Sequence, residues 1–171
     1  MADIGEKIKK HTVYKALAAA GNYDAEDVLS DSATAGTIWK LQDVVDGSGN
    51  SGIIHQVQAL CSTTGLEPRI TLYMFDLEPT DAQLNDNVAN TAVTTLHASN
   101  ALCPPINLCP MSDLGGNSES WATPSTSGNL PVCFQCLNCS RDIYFIAVTE
   151  DAETGEAAGM TLRFNFWIEE Y

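Results

Sequence analysis

Several short stretches of the chain alternate between apolar and polar residues with a period of two, a pattern typical of β-strands with one buried face. The clearest is 160–169, where an apolar side chain stands at every second position. Residues 143–148 are apolar at consecutive positions, as expected for a strand that is buried on both faces. The pattern predicts six strands, in chain order 37–45, 53–61, 69–76, 130–137, 143–148 and 160–169.

Clusters of turn-forming and small polar residues separate these stretches at 46–52, 62–68 and 151–159. Short strands with turns between them favour an antiparallel β-sandwich over a βαβ fold. The sequence therefore predicts a single-domain, all-β protein. Its expected core is formed by the inward positions Ile53, Val57, Ile70, Leu72, Phe145, Leu162 and Phe164.

Two segments stand outside the strand pattern. Residues 1–22 mix helix-favouring and strand-favouring residues, and we expect them to form an extended N-terminal arm ahead of a sandwich domain at 23–171. Residues 100–128 contain four prolines and three glycines without sustained periodicity, which predicts one long irregular loop. Trp121 lies in this loop, and a large aromatic side chain normally finds a surface to pack on.

The net charge excludes one large class of function. The chain has 22 acidic residues against 8 basic ones, a formal charge of −14. A nucleic-acid-binding protein needs a concentrated basic surface, because neutralisation of phosphates drives most of its affinity. No stretch approaches the roughly 20 apolar residues of a membrane-spanning helix, and the N-terminus has no apolar signal-peptide core. We therefore expect no nucleic-acid or membrane partner, and synthesis in a cytosol.

The charge is also unevenly distributed. The first fifteen residues hold four lysines against two acids, a charge of +2, and the remaining residues carry −16. A basic arm on an acidic body favours docking to an acidic protein partner, although a solvated tail has the same composition. The candidate partner-binding residues are Lys7, Lys9, Lys10 and Trp121.

The search for catalytic chemistry finds no motif. The chain has no phosphate-binding Gly-x-x-x-x-Gly-Lys loop, no Gly-x-Gly-x-x-Gly, no Gly-x-Ser-x-Gly and no His-Glu-x-x-His. Its three histidines are widely separated along the chain. We therefore predict a protein that is not an enzyme, with no catalytic residues and no cofactor.

The cysteines leave three alternatives open: free thiols, a disulfide formed after release from the cell, and a metal site. Thiolates spaced as Cys-x-x-Cys can hold Zn²⁺, but no second such pair closes a tetrahedral site here, and residues 133 and 136 have opposite strand parity. We predict no metal site. The residues that would form one are Cys103, Cys109, Cys133, Cys136 and Cys139.

The order of several motifs resembles a recurrent class of structural proteins of tailed phages. The sequence YDAEDVL at 23–29 is followed by Trp39, then by SGIIHQV at 51–57 and ITLYMFDLEPT at 70–80, and the block closes with LNDNVA at 84–89. In that class a strand of this kind leads to a Leu-x-Leu-x-Leu-Phe-Asp strand, a Pro-Thr turn and an Asp-Asn-Ala-like loop.

The resemblance implies a jelly-roll-like sandwich that adds to an assembled shell as a capsid decoration, or cement, protein. Its expected partner is the major capsid protein, its expected state a homo-oligomer, with a trimer favoured, and its expected place the capsid exterior after synthesis in the host cytoplasm. Two other interpretations remain. One is a tail-associated or receptor-binding β-module, and the other a small cysteine-based metal-binding protein.

Overall fold

A computed structural model describes residues 8–18, 22–63, 68–79, 83–91, 101–124, 129–154 and 159–171. These residues form ten β-strands and no helix. The strands are β1 (Ile8–Ala16), β2 (Trp39–Leu41), β3 (Ser51–Cys61), β4 (Ile70–Phe75), β5 (Ile106–Asn107), β6 (Ser112–Asp113), β7 (Ser118–Ala122), β8 (Val132–Gln135), β9 (Ile143–Thr149) and β10 (Thr161–Glu170).

The strands form two antiparallel sheets that pack face to face. The six-stranded sheet has the order β1-β10-β3-β7-β6, and β8 pairs with β3 beside β7. The four-stranded sheet has the order β2-β9-β4-β5. The predicted all-β antiparallel sandwich is therefore confirmed, and each of the six stretches with strand patterns contains a strand, namely β2, β3, β4, β8, β9 and β10.

The described part of the predicted N-terminal arm belongs to the sandwich. Residues 8–16 are extended, as expected, but they form strand β1, which pairs with β10 from Ile8 opposite Glu169 to Ala16 opposite Thr161. Leu17 follows directly and is 1% exposed in the core. The alternation of Val13 and Leu17 with polar neighbours explains the outcome, because it gives this segment one face that packs against the core.

The segment predicted as a long irregular loop also contains regular structure. Its described part, 101–124, includes β5, β6 and β7. β5 pairs with β4 at the edge of the four-stranded sheet, and β7 pairs with β3 in the other sheet. These strands have two to five residues, which is too short for a period of two to be recognised between prolines and glycines.

The core between the sheets is centred on aromatic rings. Trp39 of β2 stacks on Phe145 of β9 with ring centroids 5.5 Å apart, and both meet the ring of Phe164 edge-on. The indole Nε1 of Trp39 donates a hydrogen bond of 2.8 Å to the carbonyl of Leu29, so its polar atom is satisfied inside the core. Six of the seven predicted core residues are fully buried: Val57, Ile70, Leu72, Phe145, Leu162 and Phe164.

The seventh predicted core residue, Ile53, is only half-buried, and the prediction for it is wrong. Gln56 lies opposite Trp167 and Ile54 lies opposite Ile168, so β3 has one extra residue, His55, at this point. Such a β-bulge inverts the alternation of side chains along a strand. Ile54 therefore points into the core at 0% exposed, and Ile53 points away from it.

A second apolar cluster lies on the opposite face of the four-stranded sheet. It consists of buried Phe75, Ile146 and Val148 from the sheet and Val28 from the preceding segment, with Leu84 packed against them. Backbone hydrogen bonds join the two covering segments, because the amide of Val28 donates to Val88 and the amide of Asn87 donates to Val28. This sheet is therefore buried on both faces, as the apolar run in β9 predicted.

A buried carboxylate ties these covering segments together. Asp86 is 1% exposed, and it accepts hydrogen bonds from the Tyr23 hydroxyl at 2.9 Å and from the Ser30 amide at 2.6 Å. The pKa of Asp86 is raised to about 6, and burial is the largest cause. The two hydrogen-bond donors lower this pKa, and the negative charges of Asp27 and Asp31 contribute to raising it.

Candidate partner-binding surface

The candidate surface is the face of the six-stranded sheet that points away from the core, which we call the outer face. It is defined by β10, whose even-numbered residues from Leu162 to Ile168 are fully buried between the sheets. The odd-numbered residues of β10 point the other way, because successive side chains of a strand alternate between faces. Arg163 and Trp167 are among them, with Arg163 exposed and Trp167 partly exposed.

Two of the predicted partner-binding residues meet on this face. Trp121 of β7 reaches across β3 and stacks on Trp167 of β10, with ring centroids 5.3 Å apart and an interplanar angle of 28°. The ammonium group of Lys10 lies 5.5 Å from the centroid of the same Trp167 ring. Lys10 and Trp121, which are far apart in sequence, are therefore joined through one tryptophan.

A second cation–aromatic pair lies further along the same two strands. Arg163 is directly opposite Tyr14 in the pairing of β10 with β1, and its guanidinium carbon lies 5.9 Å from the centroid of the Tyr14 ring. Tyr14 is 65% exposed. The Arg163–Tyr14 pair thus presents a charged group on an aromatic support to the solvent.

The floor between the two pairs is a row of polar side chains that bond to one another. The Thr12 hydroxyl donates to the Asn165 side-chain oxygen at 2.8 Å, and the Asn165 amide donates to Gln58 at 2.7 Å. Gln58 in turn donates to the carboxylate of Glu119. This row crosses β1, β10, β3 and β7, so it stabilises the face without any external partner.

The other predicted lysines are placed differently. Lys7 lies outside the described residues. The Lys9 ammonium lies 3.0 Å from Asp46 and 2.9 Å from Glu170, so its charge is compensated within the chain. Lys15, the fourth lysine of the basic segment, is 9% exposed and bonds to Thr37 and Asp31 beneath the Trp39 ring. Burial lowers the pKa of Lys15, and Asp31 raises it by a smaller amount.

The cysteines are all described, and all six are free thiols. Cys103 and Cys136 are buried, whereas Cys109, Cys133 and Cys139 are exposed. Burial raises the pKa of the Cys103 thiol to about 12 and that of Cys136 to about 11, which disfavours the thiolate that a metal requires. No three metal-ligating side chains gather in a cluster within the described part of the chain.

Trp167, Arg163 and Tyr14 are the residues of this face that the sequence interpretation missed. Trp167 stands on the polar side of the clean alternation at 160–169, where a large aromatic side chain has no core to enter. Its place on the polar side of the strand was the signal in the sequence that Trp167 lies on the surface. Tyr14 carried none, because the strand character of β1 was itself ambiguous.

Neither a protein-family model nor a curated protein sequence matches this chain. Among the described residues there is also no helix of the length and hydropathy needed to cross a membrane.

Proposed function

We propose that this protein is a non-enzymatic virion protein that binds the outer surface of a tailed-phage capsid as a decoration or cement protein. The observation that carries the proposal is the outer face of the six-stranded sheet, where the partly exposed Trp121 and Trp167 stack beside Lys10 and the exposed Tyr14 lies beside Arg163. Exposed tryptophan and arginine are the residues most enriched at the energetic centres of protein–protein interfaces. A face of this composition therefore supports a binding function.

The strand order supports the jelly-roll form that the resemblance implies. Each sheet interleaves strands from the N-terminal and C-terminal parts of the chain, as β1-β10-β3-β7 and as β2-β9-β4-β5. Jelly rolls pair two Greek keys in this two-sheet manner and are frequent in viral capsid domains. The motif block of the resemblance includes β3 and β4, one strand from each sheet, and the segment with Asp86, which covers the four-stranded sheet.

The strong negative charge is compatible with this role. A protein on the shell exterior does not meet the genome, and a charge of −14 keeps it soluble before assembly. We propose the major capsid protein as its partner and a homo-oligomer, with a trimer favoured, as its bound form. A symmetric oligomer multiplies weak contacts into avidity.

The test is the copy number of the protein in purified virions, measured on a stained gel, together with rebinding of purified protein to heads assembled without it. We expect a copy number comparable to that of the capsid protein and saturable rebinding. A few copies confined to the tail would favour the tail-associated module instead. One tightly bound Zn²⁺ per purified chain would favour the metal-binding interpretation.

A further inference from the structure

The outer face differs from the rest of the described surface in how its cations are compensated. Five of the eight basic residues lie within 4 Å of a carboxylate of the same chain: Lys9, Lys15, Lys40, Arg69 and Arg141. Lys10 and Arg163 have no carboxylate partner among the described residues. Both lie over aromatic rings of the outer face, so this face holds two uncompensated cations on an acidic protein.

The strand register gives the spacing of these two cations. Lys10 is opposite Trp167, and Arg163 is opposite Tyr14, so the two cation–aromatic pairs are four residues apart along β1 and β10. At about 3.2–3.4 Å per residue, the pairs are separated by about 13 Å along the strands. The polar row from Thr12 to Glu119 lies between them and is already hydrogen bonded within itself.

We infer that the outer face docks on an acidic protein surface that presents two carboxylates about 13 Å apart, one for Lys10 and one for Arg163. This inference rests on the proposed function and names the chemistry of the shell surface that the protein contacts. Arg163 is suited to a carboxylate because a guanidinium stacked on a ring keeps its N–H fork free and pre-oriented. Two glutamates or aspartates four residues apart on an extended strand provide the required spacing.

Other occupants fit the face less well. An uncharged glycan would leave both cations without an anion, and it would find no free ring face on Trp167, which is stacked on Trp121 and faced by Lys10. Nucleic acid presents a continuous row of phosphates, which requires a concentrated basic surface, and two cations on a chain of charge −14 do not provide one.

The face also carries two carboxylates, which set a further condition on the partner. Glu119 is held by Gln58 on the β7 side, and Glu169 lies 2.9 Å from the Nε2 atom of His55. The partner surface must therefore be acidic opposite the Lys10–Trp167 and Arg163–Tyr14 pairs, and neutral or basic opposite Glu119 on β7 and Glu169 on β10.

The test compares two double variants with the same change in net charge. Lys10→Gln with Arg163→Gln removes the uncompensated cations, whereas Lys40→Gln with Arg69→Gln removes two cations that lie in ion pairs on the other sheet. The probe is binding of each purified protein to heads assembled without this chain, measured from 0.05 to about 1 M salt, over which screening shortens to about 3 Å. Melting curves verify that both variants fold.

We expect the Lys10/Arg163 variant to bind at least tenfold more weakly at low salt, because each exposed ion pair contributes up to about fivefold and an oligomer multiplies the loss. Its salt dependence is expected to be flatter than that of the wild type, and the Lys40/Arg69 variant is expected to bind within about twofold of the wild type. Tyr14→Ala should weaken binding, and Tyr14→Phe should restore it, since the ring and not the hydroxyl supports Arg163.

The outcomes separate this inference from the proposed function. If the wild type binds the heads and the Lys10/Arg163 variant binds equally well, the acidic docking surface is wrong and the decoration function stands. Equal losses in both double variants would show a general charge effect and would also overturn the inference. If the wild type does not bind the heads at all, the proposed function itself fails.

Discussion

The outer faces of the two sheets have opposite compositions. On the four-stranded sheet, the outward side chains Phe75, Ile146 and Val148 are apolar, and Val28 and Leu84 from the chain's own segments pack on them. On the six-stranded sheet, the outward side chains are the polar row and the cation–aromatic pairs, and no segment of the described chain is packed over them as a second cluster. One sandwich therefore contains a face that the chain closes itself and a face that the described residues leave open to solvent.

The difference shows how to interpret outward residues in a β-sandwich. An outward apolar residue must be covered to remove its surface from water, and here the same chain provides the cover. An outward tryptophan among hydrogen-bonded polar residues is stable as it stands and remains available to a partner. If this contrast holds, the two faces should respond differently to mutation, to pH and to the presence of a partner.

We expect the largest loss of stability from a substitution in the core between the sheets, because both sheets pack on this core. Phe145→Ala removes a ring that contacts Trp39, Phe164 and Phe166, so it should lower the free energy of unfolding by about 3–5 kcal/mol. Gln56→Ala on β3 is the matched control and should change it by no more than about 0.5 kcal/mol. Urea unfolding measures both, and a silent Phe145→Ala would show that the two sheets do not share this core.

The closed face should respond to pH through Asp86. Its pKa in the folded protein is about 6, above the ordinary 3.8, so the folded state holds this proton more tightly than the unfolded chain does. The contribution of Asp86 to stability is therefore greatest below pH 4 and is lost as pH rises through 6, by about 2–3 kcal/mol. Asp86→Asn should remove this part of the pH dependence, measured by urea unfolding at pH 4, 5, 6 and 7.

Carboxylates whose pKa is lowered in the folded protein make it more stable as pH rises, which is opposite to the effect of Asp86. The pH profile of the wild type must therefore be compared with that of Asp86→Asn. Arg69 lowers the pKa of Asp151 to about 2. The stabilisation by Asp151 is therefore present above about pH 4 and is lost as the pH falls from about 4 to about 2. These contributions are common to the wild type and Asp86→Asn and cancel in the difference between them. Parallel pH profiles for the two proteins would contradict the assignment.

The open face should tolerate the loss of a ring with little loss of stability. Trp167→Ala removes the stacking with Trp121 and the contact with Lys10, and we expect the free energy of unfolding to fall by only about 1 kcal/mol. Binding to heads assembled without this protein should fall much more strongly, since tryptophans dominate interface energies. A loss of stability as large as that of Phe145→Ala would show that this face is closed as well.

The smallest effect is expected from the cysteines. All six are free thiols, and the described residues form no metal cluster, so neither face depends on them for closure. Melting curves recorded with and without reductant and chelator should agree within a few degrees. A marked fall in melting temperature with either reagent would show a disulfide or metal that holds the fold.

The long strands were predictable from sequence because each has one face in the core. β10 alternates without interruption, and β9 is apolar on both sides because its outward residues Ile146 and Val148 are covered. The exception is Ile53, since a bulge leaves no mark in the pattern of apolar positions. Strands β5 to β7 were missed because pairing with longer neighbours, and not their own pattern, makes them strands.

The candidate surface was predictable only in part. Trp121 and Lys10 were recognisable by residue type, but their meeting depends on the order β1-β10-β3-β7, which sequence periodicity does not give. Lys9 was expected to be available to a partner, and its charge is compensated by Asp46 and Glu170, one of them at the far end of the chain. Long-range pairing of this kind depends on topology and not on local composition.

The bulge at His55 divides β3 into two halves that pair with different strands along one edge. Residues 51–54 pair with β8 and residues 57–61 pair with β7, so two different strands occupy the same edge of β3 on either side of the bulge. β8 is a strand of four residues that pairs with β3 on one side through four residue pairs. β9, in contrast, is paired with β2 on one side and with β4 on the other. Opening of β8 therefore does not require the rest of the sandwich to open, and its amide protons should exchange with solvent well before those of β9. β8 and β7 would then belong to separate cooperative units, although both pair with one continuous strand.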